Sequence, residues 1–95
     1  MVNILIIDDE EKLRLLLKRI ISLEGYDVAD TATINKARQH LAHHPVDIVL
    51  CDVKLADGNG VDFAKELKEK YPAIEIILLT AYGNIPDGVQ AISGE

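Results

Sequence analysis

The chain of 95 residues suits one domain and carries a formal net charge of −6 at pH 7. The acidic charge argues against direct nucleic-acid contact by this segment, and a single cysteine excludes an internal disulfide, which favours a reducing compartment. No signal peptide is visible, and no apolar run approaches the ~20 residues that cross a bilayer, so we expect a cytoplasmic protein without membrane contact.

The first predicted strand, Asn3–Ile7, is an apolar run that ends directly in the acids Asp8 and Asp9. Apolar residues then recur at helical spacing over 12–23, which predicts a helix with one wide apolar stripe. Asp8 or Asp9 is positioned to cap the start of this helix, and Gly25 is positioned to end it in the left-handed conformation.

A weaker, partly polar strand is predicted over 26–32, near an edge of the sheet. A second helix follows over 34–41, with Thr31 or Thr33 as its N-cap. Pro45 then marks a turn before the third strand.

The third strand, 46–51, is an apolar and β-branched run that ends in a single carboxylate, Asp52. Such a continuous run is typical of a strand buried on both faces in a parallel sheet. The loop after it is polar and contains Asp57 and two glycines. A carboxylate at this position would lie at the carboxyl edge of the sheet, where open α/β sheets bind ligands.

Helical spacing over 61–71 predicts a third helix, which Pro72 stops. The fourth strand, 73–79, is apolar on both faces and ends in Thr80. A last helix is predicted over 84–92, with Asn84 as its cap.

Alternation of strands and helices predicts an α/β domain with a doubly wound parallel sheet and helices on both faces. The carboxyl ends of its strands would bring Asp8, Asp9, Asp52 and Thr80 to one edge. Singly, these residues are ordinary caps and turn residues. Their conjunction favours a Mg²⁺ site and phosphoryl chemistry with Asp52 as acceptor, because close carboxylates repel unless they share a cation or proton.

Three stretches carry a family resemblance: IIDDE after the first strand, VLCDVKLADGNG around the third, and LLTAYGN after the fourth. The chain resembles the receiver domain of two-component response regulators from residue 3 to about residue 92. The TAYGN-I-P-x-x-V-x-A-I stretch is similar to receivers of nitrogen-regulator-type transcription activators. The resemblance implies a flavodoxin-like fold with strand order 2-1-3-4-5.

The resemblance also implies a function. A partner histidine kinase would transfer a phosphoryl group to Asp52. Asp9, Asp52 and the backbone carbonyl of Lys54 would bind Mg²⁺ or Mn²⁺, Asp8 would act indirectly through water or hydrogen bonds, and Thr80 would contact the phosphoryl group. The domain would be a timed switch that controls an output domain, acting in transcription, and not a conventional enzyme.

Two departures from the family pattern stand out. The usual proline four residues after the acceptor is replaced by Ala56. The chain ends at Glu95, before the fifth strand with its active-site lysine and before the fifth helix, so residues 1–95 would be a receiver domain incomplete at its C-terminus. The fourth strand would then lie at an open edge, which favours marginal stability or pairing with another chain, including a homodimer.

Three other functions fit parts of the sequence. A non-phosphorylated, receiver-like interaction scaffold is the main alternative. A metal-dependent phosphatase with an aspartyl nucleophile would carry a second acid where this chain has Lys54, and a nucleotide- or flavin-binding domain would carry a glycine-rich loop after the first strand. Cys51 is expected to be a buried apolar residue, and the histidines at 40, 43 and 44 are expected to form a solvated helix end.

Overall fold

The computed structural model describes residues 1–80 and the backbone of residues 89–92. In chain order the elements are β1 (Asn3–Ile7), α1 (Glu11–Leu23), β2 (Asp27–Thr31), α2 (Ile34–His43), β3 (Ile48–Asp52), β4 (Lys54–Leu55), β5 (Gly58–Asn59), α3 (Gly60–Lys70), β6 (Glu75–Leu79) and β7 (Val89–Ile92). The main sheet has the order β2-β1-β3-β6-β7, while β4 and β5 form a separate short hairpin. The first four strands of the main sheet are parallel, as predicted.

One face of the sheet carries the main hydrophobic core, which α2 and α3 cover. Leu5, Val49 and Ile76 belong to it from three adjacent strands, and each is at most 1% exposed. The helices contribute Ile34, Ala37, Leu41, Phe63, Ala64 and Leu67. Because burying one such large side chain stabilises a fold by roughly 1.5–3 kcal/mol, this core holds the central strands firmly in place.

The opposite face is covered by α1, which lies against β1 and β2. Ile4 and Ile6 are buried outside the main core cluster. No residue of α1 is fully buried, and Leu16 and Ile20 remain about half exposed, at 53% and 49%. The predicted apolar stripe is therefore present, but much of it faces solvent. None of the helices in the described ranges has the length and apolar character needed to cross a membrane.

Of the four predicted helix caps, two are confirmed, one is wrong, and the Asn84 cap lies outside the described residues. Thr33 caps α2 by accepting a hydrogen bond from the N–H of Lys36 at 3.1 Å. Gly25 follows the end of α1 with a φ of 95°, a conformation that glycine adopts without strain. The prediction that Asp8 or Asp9 caps α1 is wrong: the N-cap residue is Glu10, and it makes no side-chain capping bond.

The helix predicted over 84–92 is wrong for its last four residues, which form β7; residues 81–88 lie outside the described part of the chain. β7 pairs antiparallel with β6, with Val89 opposite Leu79. An unpaired β6 would leave its outer row of backbone groups without protein partners. A short apolar segment also lacks the length that distinguishes helical from strand periodicity. The edge at which we expected another chain to pair is thus occupied by the chain's own backbone.

Amide hydrogen exchange tests the pairing of β6 with β7. Glu75 donates its N–H to the carbonyl of Asp47 at 3.0 Å, on the β3 side. Because N–H directions alternate along a strand, Ile76 and Leu78 direct theirs towards β7. We expect both amides to exchange as slowly as that of Ile77, which faces β3. Rapid exchange at Ile76 and Leu78, with protection retained at Ile77, would contradict the pairing.

Candidate functional site

Two neighbouring strands bring carboxylates to the same edge of the sheet. β1 and β3 run parallel with Ile7 beside Cys51, so the next residues, Asp8 and Asp52, reach the same carboxyl edge. Together with Asp9, they offer one carboxylate oxygen each within 4.8 Å of one another. Within the described ranges, no other group of three or more His, Cys, Asp and Glu residues is close enough to hold a metal ion. We refer to these three residues as the acid cluster.

Asp8 is the buried member of the acid cluster, with only 1% of its surface exposed. Its Oδ1 atom accepts the N–H of Glu10 at 2.8 Å. Its Oδ2 atom is buried and has no hydrogen-bond partner among the described residues. Because an unsatisfied buried carboxylate oxygen is costly, the position favours a ligand that supplies positive charge or a proton donor.

Asp52 is partly buried, and its surroundings disfavour its charged form. Burial raises the pKa of this carboxyl, and the charges of Asp8 and Asp9 raise it further, against the lowering effect of the backbone N–H groups of Lys54 and Val53. The N–H of Lys54 approaches Oδ1 of Asp52 at 3.4 Å. A cation bound beside Asp52 would relieve this repulsion and favour the ionised form.

The start of α3 packs directly against the backbone of Asp52. Gly60 donates its N–H to the carbonyl of Val53 at 2.7 Å. A Cβ atom added to Gly60 would overlap the carbonyl oxygen of Asp52 and press on the Cα of Val53. Only glycine therefore allows this close approach, which fixes the position of the end of β3 relative to α3.

The other two predicted site residues lie next to the acid cluster. Lys54 begins the β4–β5 hairpin two residues after Asp52, and its side chain is exposed. Thr80 is partly buried and directly follows Leu79, the residue that pairs with Asp52 in the register of β3 and β6. The topology thus brings all five predicted site residues to one edge of the sheet.

Arg14 supports the acid cluster from α1, a role that the sequence did not predict. Its Nη1 donates to the carbonyl of Asp8 at 2.9 Å, and its Nε donates to Asp30 at 2.7 Å. Lys18 also donates to Asp30, at 2.9 Å. Burial raises the pKa of Asp30, but the hydrogen bonds and charges of Lys18 and Arg14 outweigh burial and lower it overall. The i, i+4 spacing of the two cations was visible in the sequence, whereas their shared partner on β2 was not.

Cys51 is buried in β3 and the histidines lie at the end of α2, both as expected from the sequence. Cys51 is buried, and burial, followed by the charges of Asp52 and Asp8, raises the pKa of its thiol to about 12. The thiol therefore stays protonated at neutral pH. His40 and His44 stack at 4.5 Å between ring centroids at the end of α2.

The chain belongs to the family of response regulator receiver domains, whose family model matches residues 4–95. It is 33% identical over 88 residues to the response regulator protein PilR of Pseudomonas aeruginosa, covering 93% of this chain and 20% of PilR. It is 32% identical over 91 residues to the transcriptional regulatory protein ZraR of Escherichia coli, covering 96% of this chain and 21% of ZraR. The chain thus spans about a fifth of the length of the curated relatives it matches.

Solved structures with the same fold include response regulator TrrA of Thermotoga maritima in complex with Mg²⁺-BeF, with a TM-score of 0.83 and 32% identity over 92% of this chain and 76% of that chain. TrrA in complex with the histidine kinase ThkA gives a TM-score of 0.81 and 34% identity, covering 86% of this chain and 71% of that chain. The beryllofluoride-activated NtrC4 receiver domain dimer has a TM-score of 0.83 and 30% identity, covering 90% of this chain and 70% of that chain. These similarities confirm the flavodoxin-like receiver fold and the resemblance to receivers of the nitrogen-regulator type.

The repulsion within the acid cluster predicts how stability depends on pH. Because the folded-state pKa of Asp52 is raised, ionisation of this carboxyl destabilises the folded state. The destabilisation grows as pH rises from the ordinary pKa of 3.8 through the folded-state pKa. In metal-free buffer at pH 7, Asp52→Asn should therefore melt at a higher temperature than the unaltered chain. The difference should vanish below pH 3.8.

The matched control for this comparison is Asp47→Asn. Asp47 is an exposed carboxylate before the other end of β3, where it accepts the N–H of Asn3 at 2.7 Å. Its replacement should give no such stabilisation. An Asp52→Asn chain that is less stable than the unaltered chain at every pH would contradict the electrostatic account.

The contact between Gly60 and Asp52 predicts that Gly60→Ala is destabilising. Although alanine is the better helix former, its methyl group would meet backbone atoms that cannot rotate away. Overpacking of this kind costs about 1–3 kcal/mol, which denaturant unfolding can measure. Lys65→Ala, at an exposed position on the same helix, is the control and should be nearly neutral. A stabilising Gly60→Ala would show that the close approach does not exist.

Proposed function

We propose that the chain is the phospho-acceptor domain of a two-component response regulator and that Asp52 is its acceptor. The observation that carries the proposal is the acid cluster at the carboxyl edge of the sheet, in a chain that belongs to the receiver family. Residues 1–95 act as one receiver domain. Its output is a conformational change, so it is a switch that catalyses only its own phosphorylation and dephosphorylation.

The acid cluster fits a Mg²⁺ or Mn²⁺ ion, because it combines hard oxygen donors with the Oδ2 atom of Asp8, which has no partner in the part of the chain that the structure describes. The carboxylates of Asp9 and Asp52 and the backbone carbonyl of Lys54 would hold the ion, and Asp8 would act through water or hydrogen bonds. When bound, such an ion neutralises negative charge on the transferred phosphoryl group. TrrA, similar in fold, has been solved in complex with Mg²⁺-BeF.

The phosphoryl transfer itself needs one nucleophile. A carboxylate oxygen of Asp52 forms the new P–O bond while the N–P bond of a phosphohistidine breaks, and the imidazole nitrogen keeps the bonding electrons and takes up a proton. Thr80 donates its hydroxyl to a phosphoryl oxygen. The start of α3 at Gly60 keeps the backbone of Asp52 in place, so that the carboxylate stays at the carboxyl edge of the sheet.

The relatives support the proposed partners. The donor is a sensor histidine kinase, as in the solved complex of TrrA with ThkA. The chain matches only about a fifth of regulators such as ZraR, so its phosphorylation would act on an output domain elsewhere in the full-length protein, with transcription as the regulated process. The net charge of −6 disfavours direct nucleic-acid contact by this segment. The NtrC4 receiver dimer supports a homodimer as the activated form.

Intact mass spectrometry tests the acceptor. The 95-residue chain is incubated with Mg²⁺ and a small acyl phosphate donor. We expect a gain of one phosphoryl group, which is lost in Asp52→Asn and after removal of the metal by a chelator. Asp47→Asn, an equal change of charge before the other end of β3, should still gain the group.

The outcomes separate the two main functions. A gain of a phosphoryl group that persists in Asp52→Asn would show that another residue is the acceptor. No gain with either the acyl phosphate or a phosphorylated histidine kinase would overturn the switch and leave a receiver-like interaction scaffold as the function.

A further inference from the structure

The loop that follows the acceptor is tied to a distant helix by one exposed side chain. Asp57 lies at the tip of the β4–β5 hairpin. One of its carboxylate oxygens accepts the N–H of Ile34 at 2.9 Å, and the other accepts the N–H of Asn35 at 3.0 Å. These bonds lower the pKa of Asp57, so the side chain is ionised at neutral pH. The carboxylate also complements the positive end of the α2 dipole.

The hairpin itself is short, and Gly58 lies close against Ile34 of α2. Its two strands have two residues each, with Lys54 opposite Asn59 and Leu55 opposite Gly58. Leu55 is buried against the core, and Asn59 anchors the far end by capping α3. The turn residues are Ala56 and Asp57, and no residue other than glycine has a positive φ in the described ranges. Such a turn suits a proline at its second position, where this chain has Ala56.

We propose that Asp57 is a positioning residue of the metal site, which fixes the loop so that the carbonyl of Lys54 faces the acid cluster. The inference rests on the proposed function, in which that carbonyl is a metal ligand. The rotamer of the Lys54 side chain does not orient the Lys54 carbonyl. The direction of that carbonyl therefore depends on the backbone of the turn that follows. With alanine at position 56, the bonds from Asp57 to α2 supply the rigidity that the turn sequence does not.

The competing explanation is that Asp57 only caps α2 and stabilises the helix. Thr33 separates the two explanations, because it is the other side-chain cap of α2 and accepts the N–H of Lys36 at 3.1 Å. Replacing Thr33 by alanine weakens the helix start without touching the loop. A purely structural role therefore predicts similar behaviour for Thr33→Ala and Asp57→Ala.

Calorimetric titration with Mg²⁺ alone tests the proposal, at a temperature where every variant is folded. We expect Asp57→Ala to weaken Mg²⁺ binding about tenfold, as for other groups that orient metal ligands. Asp57→Asn should have a smaller effect, because its amide keeps one acceptor oxygen. Thr33→Ala should bind like the unaltered chain. Adding Ala56→Pro to Asp57→Ala should recover most of the affinity, because the ring restores a rigid turn.

Each other outcome overturns a defined statement. Equal Mg²⁺ affinity in Asp57→Ala and the unaltered chain would overturn the positioning role while leaving the proposed function intact. Equal weakening in Thr33→Ala would reduce Asp57 to a helix cap. No recovery in the double variant would overturn turn rigidity as the means of positioning. No Mg²⁺ binding by the unaltered chain would overturn the proposed function and this inference together.

Discussion

Three carboxylates lie within 4.8 Å of one another at one edge of the sheet, and their mutual repulsion is the constraint around which this structure is built. The repulsion affects Asp52, whose pKa is raised by burial and by its acidic neighbours. It also affects Asp8, which is buried with one oxygen unpartnered among the described residues. A fold tolerates such a site when the gain from its core exceeds the repulsion and when a ligand relieves it.

The surrounding elements hold the carboxylates together against this repulsion. The parallel register of β1 and β3 sets Asp8 and Asp52 side by side, and the core beneath both strands keeps that register. From one side, Arg14 holds the carbonyl of Asp8 at 2.9 Å. From the other, α3 begins at Gly60 against the backbone of Asp52, and Asp57 ties the loop to α2. The site is thus fixed by backbone contacts more than by direct contacts to its carboxylates.

Most of the sheet could be predicted from the sequence, because β1, β3 and β6 are apolar runs that end in polar residues and parallel strands share one carboxyl edge. The supporting contacts could not be. Asp57 and Ile34 are 23 residues apart and belong to different elements, and no local pattern pairs them. The sequence over Val89–Ile92 predicts a helix, but the segment forms a strand because its pairing with β6, and not its own short sequence, decides its structure.

Thermal unfolding at increasing Mg²⁺ concentration is the most direct test of the central claim, that the acid cluster is a strained site which a divalent cation relieves. A ligand that binds only the folded chain raises its stability by RT ln(1 + [L]/Kd). We therefore expect the melting temperature at pH 7 to rise with Mg²⁺ concentration, and to rise much less in Asp9→Asn. A melting temperature that does not depend on Mg²⁺, or that rises equally in Asp9→Asn, would contradict the claim.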